Sequence, residues 1–96
     1  MRGYCQITTY TKVRVSAIAG HNCKCQDPSG TGPQWNDLTK KVCQERLPGE
    51  SSYCQQFGKK YHGSHHQCSS PGNCIDSGGF NSRCKELGAP GAFCWD

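Results

Sequence analysis

Ninety-six residues leave room for one domain, 1–96, and 11 Lys and Arg against 7 Asp and Glu give a modest net charge of +4. Val, Ile, Leu and Phe together number only 12, too few for an ordinary apolar core, but that charge is too small for a disordered chain. Nine cysteines point instead to a disulfide scaffold, and no apolar run approaches the roughly 20 residues of a membrane span.

In chain order, ITTYTKVRVSAI (7–18) alternates with a period of two. Val13, Val15 and Ala17 point one way and Lys12, Arg14 and Ser16 the other, which predicts a strand. Gly20-His21-Asn22 makes a bend, and NCKCQD resumes as a short strand. Cys23 and Cys25 share one of its faces; Asn22, Lys24 and Gln26 share the other. Asp27 to Gly32 is dense turn chemistry and reads as a loop.

Pro33 fits a first helical position, and QWNDLTKKVCQERL places Trp35, Leu38, Thr39, Val42, Cys43 and Arg46 on one helical side. Lys40, Lys41 and Arg46 favour the C-terminal end of that helix, and Pro48-Gly49 stops it. SSYCQQF reads equally as a helical turn or a strand, whereas GKKYHG and SHHQCSS read as short extended segments. Asp76 or Ser77 caps a second helix carrying Phe80, Cys84 and Leu87, which Gly88 ends. AFCWD closes the chain as a strand. The order predicts an α+β sandwich, with a four-stranded antiparallel sheet and two helices packed on one face.

The run HNCKCQD (21–27) admits three readings: half of a metal site, a redox pair, or two staples on one strand face. His21, Cys23 and Cys25 share a strand face and suggest half of a metal site, but their spacing is too tight for the usual zinc knuckle. Nine cysteines in one small chain favour two structural staples, and no Cys-x-x-Cys redox pair occurs. Four disulfides are therefore expected from Cys23, Cys25, Cys43, Cys54, Cys68, Cys84 and Cys94, plus one of Cys5 or Cys74. Each contributes about 2–4 kcal/mol. The odd cysteine is free or links to another molecule, a disulfide-linked dimer included. An oxidising, extracellular setting follows, and the polar start Met1-Arg2-Gly3-Tyr4-Cys5 reads as a mature chain whose leader has been removed.

Two stretches offer binding chemistry. Lys59, Lys60, Tyr61 and His62 combine cations with an aromatic, suited to nucleic acid or an acidic polysaccharide; the plainer reading is a solvated strand edge. His62, His65 and His66 form an imidazole cluster that suits weak metal binding or a response to pH, and equally an ordinary polar loop. The loop DPSGTGPQW is a candidate inhibitor loop with Trp35 as its anchor, although Trp35 also fits the inner face of the first helix. Trp95 faces either core or rim. A small secreted ribonuclease would need a glutamate base, a histidine acid and an arginine. Glu45, Glu50, Glu86 and the four histidines form no motif that ties them together. No nucleophile elbow or metalloprotease helix occurs. An enzyme is therefore not expected, nor a cofactor, and nucleic acid is not the expected partner.

CKCQD, a loop, a helix ending in a cysteine, then HQCSSPGNCIDSGGFNSRC and a terminal AFCW together resemble small secreted cysteine-rich proteins of filamentous fungi, many of them candidate effectors delivered to a plant host. The fold of those proteins is similar to that of the smut killer toxin "killer protein six", a disulfide-tied helix-on-sheet sandwich. The resemblance covers about residues 21 to 95. Relatives often carry adjacent cysteines at the helix ends, where Val42-Cys43 and Arg83-Cys84 here supply one each. The resemblance implies a secreted effector or toxin without a catalytic centre. Such a protein would act in the host apoplast or inside a host cell, on a protein or cell-surface target of a plant host or competing microbe.

Overall fold

A computed structural model describes residues 19–96 of the protein; the strand expected over 7–18 lies outside them, as does Cys5. The elements are β1 (Ala19–Gly20), β2 (Asn22–Cys25), α1 (Asn36–Cys43), a wide π-type turn (Cys54–Gly58), β3 (Lys60–His62), β4 (Gln67–Ser69), β5 (Ile75–Asp76), α2 (Ser77–Glu86) and β6 (Ala92–Trp95). Four strands form one antiparallel sheet in the order β3-β4-β2-β6, with both helices on one face. A two-residue ladder, β1 against β5, stands apart from this sheet.

Alternation along β2 sends Cys23 and Cys25 fully into the interior. Cys23 lies opposite Cys68 of β4 and Cys94 of β6, and Cys25 lies opposite Ala92. Above them sit Val42 and Cys43 of α1 and Phe80 and Cys84 of α2, with Leu47 and Ile75 beside. Five of the eleven residues in this core cluster are cysteines, so sulfur takes space that aliphatic side chains hold elsewhere.

The bridges follow the layers. Cys23–Cys94 joins neighbouring strands, Cys25–Cys84 ties β2 to α2, and Cys43–Cys68 ties the end of α1 to β4. Cys54–Cys74 pins the π-type turn to the loop before β5. The eighth half-cystine is thus Cys74, and all eight cysteines among the described residues are paired. Four bridges in so small a chain fit an oxidising, extracellular setting.

α1 is shorter than the pattern predicts, beginning at Asn36 and ending at Cys43. Gln44 and Glu45 donate back to Lys41 and Val42 carbonyls in a tighter three-residue spacing, which ends the helix before Arg46. Trp35 sits at the N-cap and is 40% exposed, so the core role expected of it is corrected: it precedes the helix whose inner side it was to share. Buried Thr39 fastens this helix to the sheet, its hydroxyl accepting from the Cys25 N–H at 2.8 Å and donating to the Trp35 carbonyl at 3.0 Å.

α2 starts on Asp76, whose Oδ1 accepts from the Gly79 N–H at 3.0 Å. Its Oδ2 accepts from the Gly49 N–H at 2.8 Å, so one carboxylate caps α2 and anchors the loop that follows α1. Gly79 weakens the first turn by propensity, but a Cβ there would lie 2.7 Å from Asp76 Oδ2. That close approach is what the glycine permits.

Candidate binding face

Helices cover one side of the four-stranded sheet. On the other side the register assembles a second surface that no helix among the described residues covers. Lys60, Ser69, Asn22 and Trp95 form one rank across the four strands. Beside it Phe93 pairs with Lys24, and Gln67 with His62. These are the alternate residues of the strands that bury Cys23, Cys25 and Cys68.

The middle of the face is a closed polar array. Asn22 Oδ1 accepts from Ser69 Oγ at 2.8 Å and from Gln67 Nε2 at 3.0 Å, and that amide also reaches Ser69 Oγ at 3.0 Å. At the β6 edge Phe93 and Trp95 stack with centroids 5.0 Å apart and planes at 22°. The loop after β2 lies against Phe93, close enough that a Cβ on Gly30, at φ +84°, would meet the ring at 3.0 Å.

Lys24 joins the two parts. Its Nζ lies 5.5 Å from the Trp95 ring centroid, donates to Gln34 Oε1 at 2.7 Å and reaches the His65 carbonyl at 3.4 Å. Partial burial pulls its pKa below the ordinary lysine value. Among the described residues no carboxylate lies within 4.0 Å of Lys24 or Lys60. The eight residues of the two ranks include two lysines, a histidine and no acid.

The residues expected to form a binding stretch separate. Lys60 and His62 are exposed on this face; His65 and His66 are exposed in the turn between β3 and β4. Tyr61 points inward against the core and approaches His66 Nδ1 at 3.5 Å through its hydroxyl. Lys59 is corrected outright as a surface residue. Its side chain is fully buried, pairs with Glu50 Oε1 at 2.5 Å and donates to the Glu45 carbonyl at 2.8 Å. Strand alternation sends Lys59 inward and Lys60 outward. Glu50 also accepts from the Leu47 and Asp76 N–H groups, at 3.2 and 3.0 Å, so both buried charges are satisfied.

Cys23 and Cys25 are bridged and offer no thiolate beside His21. No group of three His, Cys, Asp or Glu side chains among the described residues is disposed to hold a metal. The glutamates weighed as bases are all engaged: Glu45 with Arg83 (2.7 Å) and Lys41 (3.3 Å), Glu86 with Arg83 (3.1 Å) and Glu50 with Lys59. The Arg83 hydrogen bond, against some burial, holds the Glu45 carboxyl below the usual glutamate range. Phe93, Trp95, Gln67 and Ser69 were missed as a surface, although the alternation of AFCW and QCS carried the signal. Tyr53 and Phe57 were missed too; they project from the π-type turn, 67% and 71% exposed, with centroids 5.7 Å apart.

The family of unknown function DUF5948 matches residues 20–93, from β1 into β6. The chain belongs to that family. The DUF5948 match takes in all eight half-cystines except Cys94, and every residue of the bare face except Trp95. No curated protein matches the chain, and no solved structure does. No helix among the described residues is long and apolar enough to cross a membrane.

Proposed function

We propose that this is a secreted, non-enzymatic binding protein of the effector or killer-toxin kind, acting on a host or competing organism through the bare face of its sheet. The observation that carries the reading is Lys24. It is partly withdrawn from water and rests over Trp95 with, among the described residues, neutral acceptors alone and no acid in either rank of the face. A cation so placed completes its pairing with a charge brought by a partner. The resemblance carried by CKCQD and HQCSSPGNCIDSGGFNSRC supports the biology. The non-enzymatic half draws support from the glutamates, each committed to a structural ion pair.

Retention of the labelled protein on plant or yeast cells tests this. The Lys24→Gln/Lys60→Gln double variant, with its disulfides and thermal midpoint intact, is expected to lose retention. Equal retention of variant and native protein would remove the face from the reading. RNA cleavage abolished by replacing one histidine would overturn the non-enzymatic half. A second reading, an inhibitor of an extracellular enzyme, is favoured by Tyr53 and Phe57, two projecting aromatics of the sort that anchor protein interfaces.

A further inference from the structure

The geometry points to an acidic polysaccharide, a chain of uronate sugars, as the ligand of the bare sheet face. Lys24 and Lys60 meet its carboxylates, the Asn22–Gln67–Ser69 array meets its hydroxyls, and Trp95 packs against a sugar ring. This rests on the reading that the bare face is where the protein binds.

Three features select that chemistry. First, charge is complementary: Lys24 on β2 and Lys60 on β3 are the only charged groups of the two ranks, and both are cations. That charge calls for an anion, which a uronate chain with one carboxylate per ring and a nucleic acid with one phosphate per nucleotide both supply, so the choice between them rests on the two features that follow. Second, the centre of the face both gives and takes hydrogen bonds. The array's internal bonds use both Gln67 Nε2 hydrogens, the Ser69 hydroxyl hydrogen and both lone pairs of Asn22 Oδ1, which leaves Asn22 Nδ2 to donate and Gln67 Oε1 to accept. Sugar hydroxyls donate and accept; phosphodiester oxygens only accept. Third, the stacked Phe93–Trp95 pair gives a broad, rigid apolar edge next to Lys24. The C–H face of a pyranose packs on such a ring while its carboxylate reaches the ammonium. The β2 disulfides to β6 and α2 keep this edge in place, so little freedom is lost on binding.

The test is titration of the oxidised, full-length protein with an oligogalacturonate, read by calorimetry and by backbone amide shifts. A neutral cello-oligosaccharide and an oligouridylate of matching length serve as comparisons. Oligogalacturonate is expected to bind, to shift amides in 22–24, 67–69 and 92–95, and to weaken as salt is raised. Lys24→Gln and Lys60→Gln should each weaken it about fivefold, and Trp95→Leu about tenfold. Lys40→Gln and Lys85→Gln remove the same charge from exposed helix positions and should leave affinity unchanged. The helix variants weakening binding as much as the face variants would reduce the effect to net charge and overturn the inference. So would tighter binding of oligouridylate, equal binding of the neutral sugar, or no binding at millimolar oligogalacturonate. Trp95→Leu is judged only if its disulfides and fold survive, and exposed Lys60→Gln decides otherwise. Loss of cell retention in the lysine variants without oligogalacturonate binding would sink the ligand class and leave the face standing. Retention indifferent to those variants would sink both.

Discussion

The two faces of the four-stranded sheet are written in the same short strands, yet they are held by different chemistry. Inward, Cys23, Cys25, Cys68 and Cys94 are bridged to each other or to the helices. Outward, Asn22, Lys24, Gln67, Ser69, Phe93 and Trp95 make only hydrogen bonds, a ring stack and a cation–ring contact. The difference teaches that the covalent scaffold and the surface proposed for binding are separable at one-residue resolution here. Because covalent bridges hold the inner side, changes on the outer side need not disturb the fold.

That contrast can be broken most sharply from the inside. Replacing Cys25 and Cys84 by serine, or Cys54 and Cys74, opens one bridge while the other three still shorten the free loops, so each should cost about 3 kcal/mol despite spans of 59 and 20 residues. Denaturant unfolding of the two double variants measures both. Lys59→Met strands the Glu50 carboxylate in the interior and should cost about 3 kcal/mol, whereas neighbouring Lys60→Gln should not move the same unfolding curve. Asp76→Ala loses the cap of α2 and the anchor of Gly49 together, an expected cost of about 1–2 kcal/mol by thermal unfolding.

A pH series sharpens the comparison without touching either face. The Glu45 pKa is depressed in the folded protein by the Arg83 hydrogen bond, so the pair stabilises above the ordinary glutamate range. That contribution fades as pH falls through the lowered value. In Glu45→Gln the thermal midpoint should fall less steeply on acidification than in the native protein. Smallest of all, Lys24→Gln and Lys60→Gln should shift stability by no more than about 0.5 kcal/mol while weakening the binding proposed for the face. A larger loss would mean that the two faces are not independent.

Much of this division was legible in the chain itself. The alternation of NCKC announced that Cys23 and Cys25 share a face, and the spacing of Phe80 and Cys84 announced the inner side of α2. The rest escaped for physical reasons. Lys59 and Lys60 are indistinguishable as letters; what separates them is the start of β3 and a carboxylate nine residues back, Glu50, which the fold brings against Lys59. Trp35 shares the 3.6-residue spacing of α1, but the helix begins one residue after it. β1 and β5 are two residues each, too short for any periodicity to register. The choice between Cys5 and Cys74 turned on a long-range contact, the approach of the π-type turn to the loop before β5, which no local pattern records.

The Cys23–Cys94 bridge encloses Cys25–Cys84, which in turn encloses Cys43–Cys68, like nested brackets. A protease that cuts the backbone once, anywhere between Cys23 and Cys94, therefore releases nothing, because the outermost bridge still joins the two pieces. In surroundings rich in digestive enzymes, a nicked molecule stays whole, and its two edge-to-edge strands β2 and β6 stay side by side.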